Sequence, residues 1–168
     1  ICREAGTGIN MIHHYFGNKD GLLEAIVAQY DEGVFAMPMR LLATPARSAD
    51  DLSARMEMIF ETTLESCIAN RDVMMVVLRE QKQLKMLDSF QAAFVAFLDD
   101  AKSMGIVRAD LDSSMVSGAM LDRVVSQVQF APWIRDTYGV DIATDGDYRS
   151  RWSRGNVDLF LSGILERA

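Results

Sequence analysis

The chain has 168 residues, 49% of them hydrophobic, with a formal net charge of −7. That length and apolar content suit one well-buried domain plus a small module packed against it, and exclude two independent domains. The acidity excludes a protein that coats nucleic acid by overall attraction, because phosphate contacts need clustered Lys and Arg; only a local DNA-reading face stays open.

No stretch reaches the roughly 18–20 uncharged apolar residues that span a bilayer, and no basic start leads into an apolar core of signal-peptide type. A soluble, cytoplasmic protein with no membrane partner is expected. Cys2 and Cys67 stand outside any CxxC or ligand spacing, so buried spectator thiols are expected, not a disulfide or a metal site.

Helical period runs through almost every segment, interrupted only by Pro38, Pro45 and Pro132, so the predicted class is all-α. A turn at Gly6-Thr7-Gly8 leads into a short helix, Ile9 to Phe16, which breaks at Gly17-Asn18. Asn18 is a good N-cap, with Asp20 and Glu24 in the first turns, for a helix from Lys19 to about Met37. Pro38 to Ser48 reads as a loop. Asp50 or Asp51 then caps a helix to about Ala69, with Leu52, Met56, Ile59, Phe60, Thr63 and Cys67 on one face and Glu57, Glu61 and Glu65 on the other.

After a turn at Asn70 to Asp72, helices are predicted from Val73 to about Leu84 and from Leu87 to Met104, the second stopped by Gly105. Two last helices, about 113–136 and 148–166, are apolar all round and need cover on more than one side. A second copy of the chain is the expected cover, with Gly118, Gly155 and Gly163 permitting close approach. Tyr138 to Gly146 reads as a loop between them.

The N-terminal run carries the functional signal. Ala5-Gly6 in the turn, Tyr15-Phe16 ending the short helix, and Lys19 with Leu22 opening the next helix resemble the helix-turn-helix of the TetR family of transcriptional regulators. The family's usual form is I-A-x-x-A-G-V-S, a helix ending Y-x-Y-F, then x-x-K-x-x-L. Gly105 to Asp112 is similar to the turn before the penultimate helix in many members. Thr7-Gly8 stands where the family has V-S, and His13 replaces the first tyrosine. Physically, the turn glycine permits the positive φ of a tight reversal, and Phe16 is expected to plug the short helix against its neighbours, leaving outward residues free for a major groove. Because Ile1 already lies inside this motif, the family's first helix is expected to be missing from this sequence.

The resemblance implies a helix-turn-helix DNA-binding end with its connecting helix, residues 1–30, and a helical ligand-binding and dimerisation core, residues 31–168. It implies a regulator, in the commoner family behaviour a repressor released from operator DNA by a small hydrophobic or amphipathic effector, working as a homodimer through the two C-terminal helices. Expected DNA contacts are Thr7, Gly8, Asn10, Met11, His13, His14, Tyr15 and Lys19. His13 and His14 could equally be solvent-facing without a role. Met56, Phe60, Met74, Leu78, Phe90, Phe94 and Met120 are candidate effector contacts or ordinary core filler. Asp122, Arg123 and Gln127 could orient a ligand, pair across a dimer or form a solvated stripe. Arg149, Arg151 and Arg154 read more readily as an interface or solvated helix start than as a nucleic-acid patch.

No nucleophile with its base, paired carboxylates, metal set or phosphate loop is present, so no enzyme and no cofactor is expected beyond the effector. The competing reading is a helical protein-interaction module whose helix-turn-helix is purely structural.

Overall fold

The computed structural model describes residues 5–6 and 8–164. Among them the chain forms eight helices: α1 (Ile9–Phe16), α2 (Lys19–Leu42), α3 (Ala49–Ala69), α4 (Arg71–Glu80), α5 (Lys85–Ser103), α6 (Ser113–Gln129), α7 (Ala131–Tyr138) and α8 (Gly146–Ile164). The all-α class is as the sequence predicts. Cys2 lies outside the described residues; Cys67 is a buried free thiol.

Helix α3 is the central element, packed by α2, α4, α6 and α8, while α5 closes the far side against α2 and α6. Its predicted apolar face is the core: Leu52, Met56, Ile59, Phe60, Thr63 and Cys67 are all buried. Phenylalanines from three helices meet there, Phe35 stacking on Phe90 with ring centroids 4.9 Å apart and Phe90 lying 5.8 Å from Phe94.

The opposite face of α3 is covered too. Arg154 pairs with Glu57 at 3.5 Å, Ser150 donates to Glu61 at 3.1 Å, and Arg149 pairs with Glu65 at 3.9 Å. Three glutamates spaced four apart thus meet three donors of the antiparallel α8, Arg154, Ser150 and Arg149. The Glu face is a polar ladder to α8, and Phe60 edge-on to Trp152 at 5.8 Å adds its apolar rung.

Several boundaries differ from the predicted ones, each for a local reason. Helix α2 does not stop at Met37 but runs through the buried Pro38 to Leu42. Proline removes one helical N–H, yet the last turn is held from outside: Arg55 Nη1 donates to Leu41 O at 3.2 Å, Thr44 O at 2.7 Å and Thr44 Oγ1 at 3.1 Å. The cap of α3 is Ser48, accepting from Asp51 N, rather than Asp50 or Asp51. Helix α4 begins at Arg71, the predicted turn being reduced to Asn70, and ends at Glu80 instead of Leu84, because Gln81 adopts a left-handed conformation at φ 49° and Lys82 N–H bonds back to Val77 O. The predicted helix 113–136 is two helices, broken at Phe130 with Pro132 opening α7.

The Gly105 turn ends α5 at φ 71°, and Asp112 caps α6 by accepting from Ser114 N and Met115 N, both at 3.1 Å. These bonds, led by that from the Ser114 hydroxyl, hold the Asp112 carboxyl below its ordinary value of 3.8. A depressed folded value means the folded chain binds fewer protons than the unfolded one, so the stabilisation is complete above 3.8 and is lost as pH falls through the folded value. Asp112→Asn should therefore flatten the acid limb of a melting-temperature profile recorded from about pH 5 downward; an unchanged limb counts against the cap. In the core, Phe97 is 2% exposed, and Phe97→Ala should cost about 3–5 kcal/mol in urea unfolding.

Candidate nucleic-acid interface and interior cleft

Helix α1 is a short exposed rod on the end of α2. Gly8 precedes it without a side-chain cap, and Gly17 ends it at φ 75°, its N–H bonded to His13 O at 3.1 Å. Asn18 then starts α2, its Oδ1 accepting from Gly21 N at 2.9 Å, as predicted for this cap. Gly21 has no room for a side chain: a Cβ there would lie 2.0 Å from the carbonyl oxygen of Phe16. The backbone of α1's last residue sits directly on α2's first turn, and this contact sets the angle between the two helices.

Of the expected DNA contacts, Gly8, Asn10, Met11, His13, His14, Tyr15 and Lys19 are all exposed on or beside α1; Thr7 lies outside the described residues. Tyr15 is 67% exposed and meets His14 edge-on at 5.0 Å. His13 is partly committed, its Nδ1 standing 2.9 Å from Gly17 O and tying the ring over the end of α1. Phe16 retains 39% of its surface, so it is not the sealed plug expected from the sequence.

The candidate effector residues fall in two places. Phe60, Phe90, Phe94 and Met120 surround a void of only about 10 Å³ in the core, room for a single water at most and too apolar to hold one. Beside it opens a cleft of about 460 Å³ between α2, α3, α4, α5 and α6, and here Met74 and Leu78 line the wall. Met56, fully buried, lines neither. Thr63, Leu121 and Val124 separate void from cleft, belonging to both linings.

The cleft is walled by Phe35, Val77, Leu84, Leu87 and Val125 and carries polar groups at two levels. Gln81, Lys82 and Asp122 stand at its rim, and Gln81 holds the left-handed backbone noted above. Buried groups Tyr30, Thr63 and Cys67 also line it, with Tyr30 Oη 3.8 Å from Cys67 Sγ. Burial pushes the Cys67 thiol up to about 11 and raises the Tyr30 phenol further, so both are neutral at physiological pH.

Asp31, one residue beyond Tyr30, was not singled out from the sequence. It is 6% exposed, and its Oδ2 accepts the N–H of Met86 at 2.8 Å. Helix α5 has no side-chain cap of its own at Leu84, so this carboxylate of α2 serves as its N-terminal cap from across the interface. The signal was present: Asp31 falls at helical spacing among Val27, Tyr30, Val34 and Phe35, a charge on an otherwise apolar face. Asp122 stays at the cleft rim, while Arg123 and Gln127 are occupied within the chain, donating to Asn156 Oδ1 and Tyr148 Oη, both at 2.8 Å.

Residues 1–26 match the family described as bacterial regulatory proteins, tetR family. Solved structures share the fold over nearly the whole chain. PfmR, a TetR family transcriptional regulator from Thermus thermophilus, is 18% identical, with a TM-score of 0.74 over 99% of this chain and 87% of its own. The ketosteroid transcriptional regulator KstR2 of Mycobacterium tuberculosis is 15% identical, with a TM-score of 0.70 over 99% and 83%. A TetR-family regulator from Mesorhizobium loti gives 11%, 0.66, 98% and 84%. No curated protein matches the chain in sequence. The exposed α1 at the end of α2 lies within the segment that matches these regulatory proteins. The N-terminal segment is thus similar to that family, and the fold is that of these TetR-family structures. No helix among the described residues is long and apolar enough to cross a membrane.

Gly21→Ala tests the joint. Its methyl group must push the end of α1 off α2, so specific DNA affinity should fall about tenfold or more, a loss of 1.4 kcal/mol or above. The melting temperature of the core should hold. Equal DNA affinity for the variant would show that the close approach does not set the orientation of α1.

Proposed function

We propose that the protein is a cytoplasmic repressor that binds its operator as a homodimer and lets go when a small apolar or amphipathic effector fills the cleft between α2 and α6. The observation that carries this reading is that one helix serves both ends. Helix α2 bears α1 at its N-terminus and lends Tyr30 and Phe35 to the cleft wall; from Lys19 to Tyr30 the rise is about 16 Å. Residues 1–30 form the DNA-reading end in this scheme and residues 31–168 the sensing and pairing core.

Gly8, Asn10, Met11, His13, His14, Tyr15 and Lys19, with Thr7 before them, would face the major groove and its flanking phosphates. Met74 and Leu78 would touch the effector, while Phe60, Phe90, Phe94 and Met120 back the cleft from the core side. Pairing would use the outer faces of α6 and α8, where Met115 and Leu159 are 71% and 67% exposed. A dimer must hold its two recognition helices about 34–36 Å apart to meet successive major grooves. An effector wedging α4 and the start of α5 away from α2 acts on the Asp31 to Met86 bond, tilts α2 and changes that spacing. Coupling of about 1–3 kcal/mol is sufficient for such control.

The test is fluorescence anisotropy of the full-length protein on DNA from upstream of its own gene, against a scrambled duplex at two salt concentrations. Discrimination of about 10³ or more is expected. Lys19→Ala should weaken binding to both duplexes alike and lower the salt slope by about 1. Weak binding, equal on both duplexes and abolished by modest salt, would remove autoregulation and leave the interaction module as the better reading.

A further inference from the structure

One side chain in the cleft lacks what its surroundings demand. Thr63 is 2% exposed and stands between the core void and the cleft, lining both, and its hydroxyl has no hydrogen-bond partner among the described residues. A helical threonine ordinarily satisfies itself on the carbonyl one turn back, as its neighbour Thr62 does on Met58 O at 2.7 Å. Leaving such a group unpaired costs free energy, so the folded chain carries a penalty that a bound oxygen removes.

The charges about the cleft point the same way. Tyr30, Thr63 and Cys67, the buried polar groups of the lining, are all uncharged, and the remaining buried wall is hydrocarbon or aromatic. At the rim Lys82 and Asp122 carry opposite charges and cancel. Behind Lys82, the neighbouring surface cleft adds Glu24, Asp31 and Glu32 against Lys82 and Lys85, so an anion gains no net attraction there. A cation reaching the buried part would be stripped of water with no carboxylate in the buried lining, the nearby Asp31 being bound to Met86 N–H outside it.

We propose that the cleft takes an uncharged, predominantly apolar molecule whose hydrogen-bonding oxygen, a carbonyl or hydroxyl, is read by the Thr63 hydroxyl. This rests on the cleft being the effector site and adds to it a ligand class and a specificity residue. A carbonyl oxygen accepts from Oγ1; a ligand hydroxyl donates to it. Discrimination of this kind is strong, because a ligand lacking the oxygen leaves a buried protein group unpaired.

The experiment compares decyl methyl ketone, dodecanoate and dodecylammonium, three probes of equal chain length that differ in the head group, by calorimetric titration of the full chain. The ketone should bind, and each charged probe should bind at least about tenfold more weakly. Thr63→Val, which keeps shape and removes the hydroxyl, should lose about tenfold in ketone affinity, and Thr63→Ser should restore it. Without ligand, Thr63→Val should melt no lower than the parent, since it deletes an unpaired buried hydroxyl; that result separates lost recognition from lost folding. A charged probe matching the ketone, equal ketone affinity in the Val and Ser variants, or binding of none of the probes overturns the inference. Operator binding, measured on the same preparation, reads the regulator separately: its loss sinks that reading, whereas the probe series bears on the ligand class alone.

Discussion

The bond between Asp31 Oδ2 and the N–H of Met86 joins the helix that carries α1 to the part of the chain that encloses the cleft. Burying a carboxylate is expensive, and one hydrogen bond to a helix N-terminus offsets only part of the cost; Oδ1 is left without a partner. An apolar residue at this position of α2 would pack against the start of α5 more stably but without direction. The carboxylate instead fixes α2 to one end of α5, at a point where the loop after Gln81 also borders the cleft. Anything that displaces this loop alters the geometry of a charged, buried bond, and α2 answers as a unit.

The rest of the core is arranged so that this motion is not absorbed elsewhere. Helix α3 is held on both faces, by the phenylalanine cluster on one side and by the ladder of Glu57, Glu61 and Glu65 to α8 on the other. Helices α6 and α8 are cross-tied by Arg123 to Asn156 and Gln127 to Tyr148. Helices α3, α6 and α8 are thus cross-tied, whereas α4 packs chiefly against α2 and α3 and is joined to α5 by a short segment. Gln81, a non-glycine in the left-handed region, sits in that segment, and strain of this kind costs on the order of 1–3 kcal/mol unless its surroundings enforce it.

Much of this was legible in the sequence. The break at Gly17-Asn18, the cap at Asn18 and the apolar face of α3 follow from turn chemistry and helical period, and they came out as expected. What failed was what depends on partners distant in the chain. Pro38 reads as a helix end because the cap that overrules it, the guanidinium of Arg55, comes from another helix. The Glu face of α3 reads only as the polar side of an amphipathic helix, because period alone cannot tell water from donors on α8. The end of α4 carries neither Gly nor Pro, so nothing local announces Gln81. The candidate effector residues were chosen as large apolar groups on core faces, which selects the best-packed places; Phe60, Phe90 and Phe94 accordingly meet where almost no space remains. A ligand site needs the opposite, incomplete packing beside an unsatisfied polar group, and neither is visible in periodicity.

In the proposed regulator, the small, nearly uncharged α1 would make DNA recognition depend on its orientation. Among the described residues near α1, Lys19 is the one fixed positive charge and Asp20 stands beside it. Groove contacts made at the correct angle would then carry much of the specificity. That angle is held three times over, by the positive φ of Gly17, by the Asn18 cap on Gly21 N–H, and by the approach of Phe16 O to Gly21 that leaves no space for a Cβ. A joint so constrained cannot flex to compensate for a tilt of α2. Rotation of α2 reaches α1 as a rigid-body displacement, and because the contacts are few and directional, a small displacement suffices to lose them.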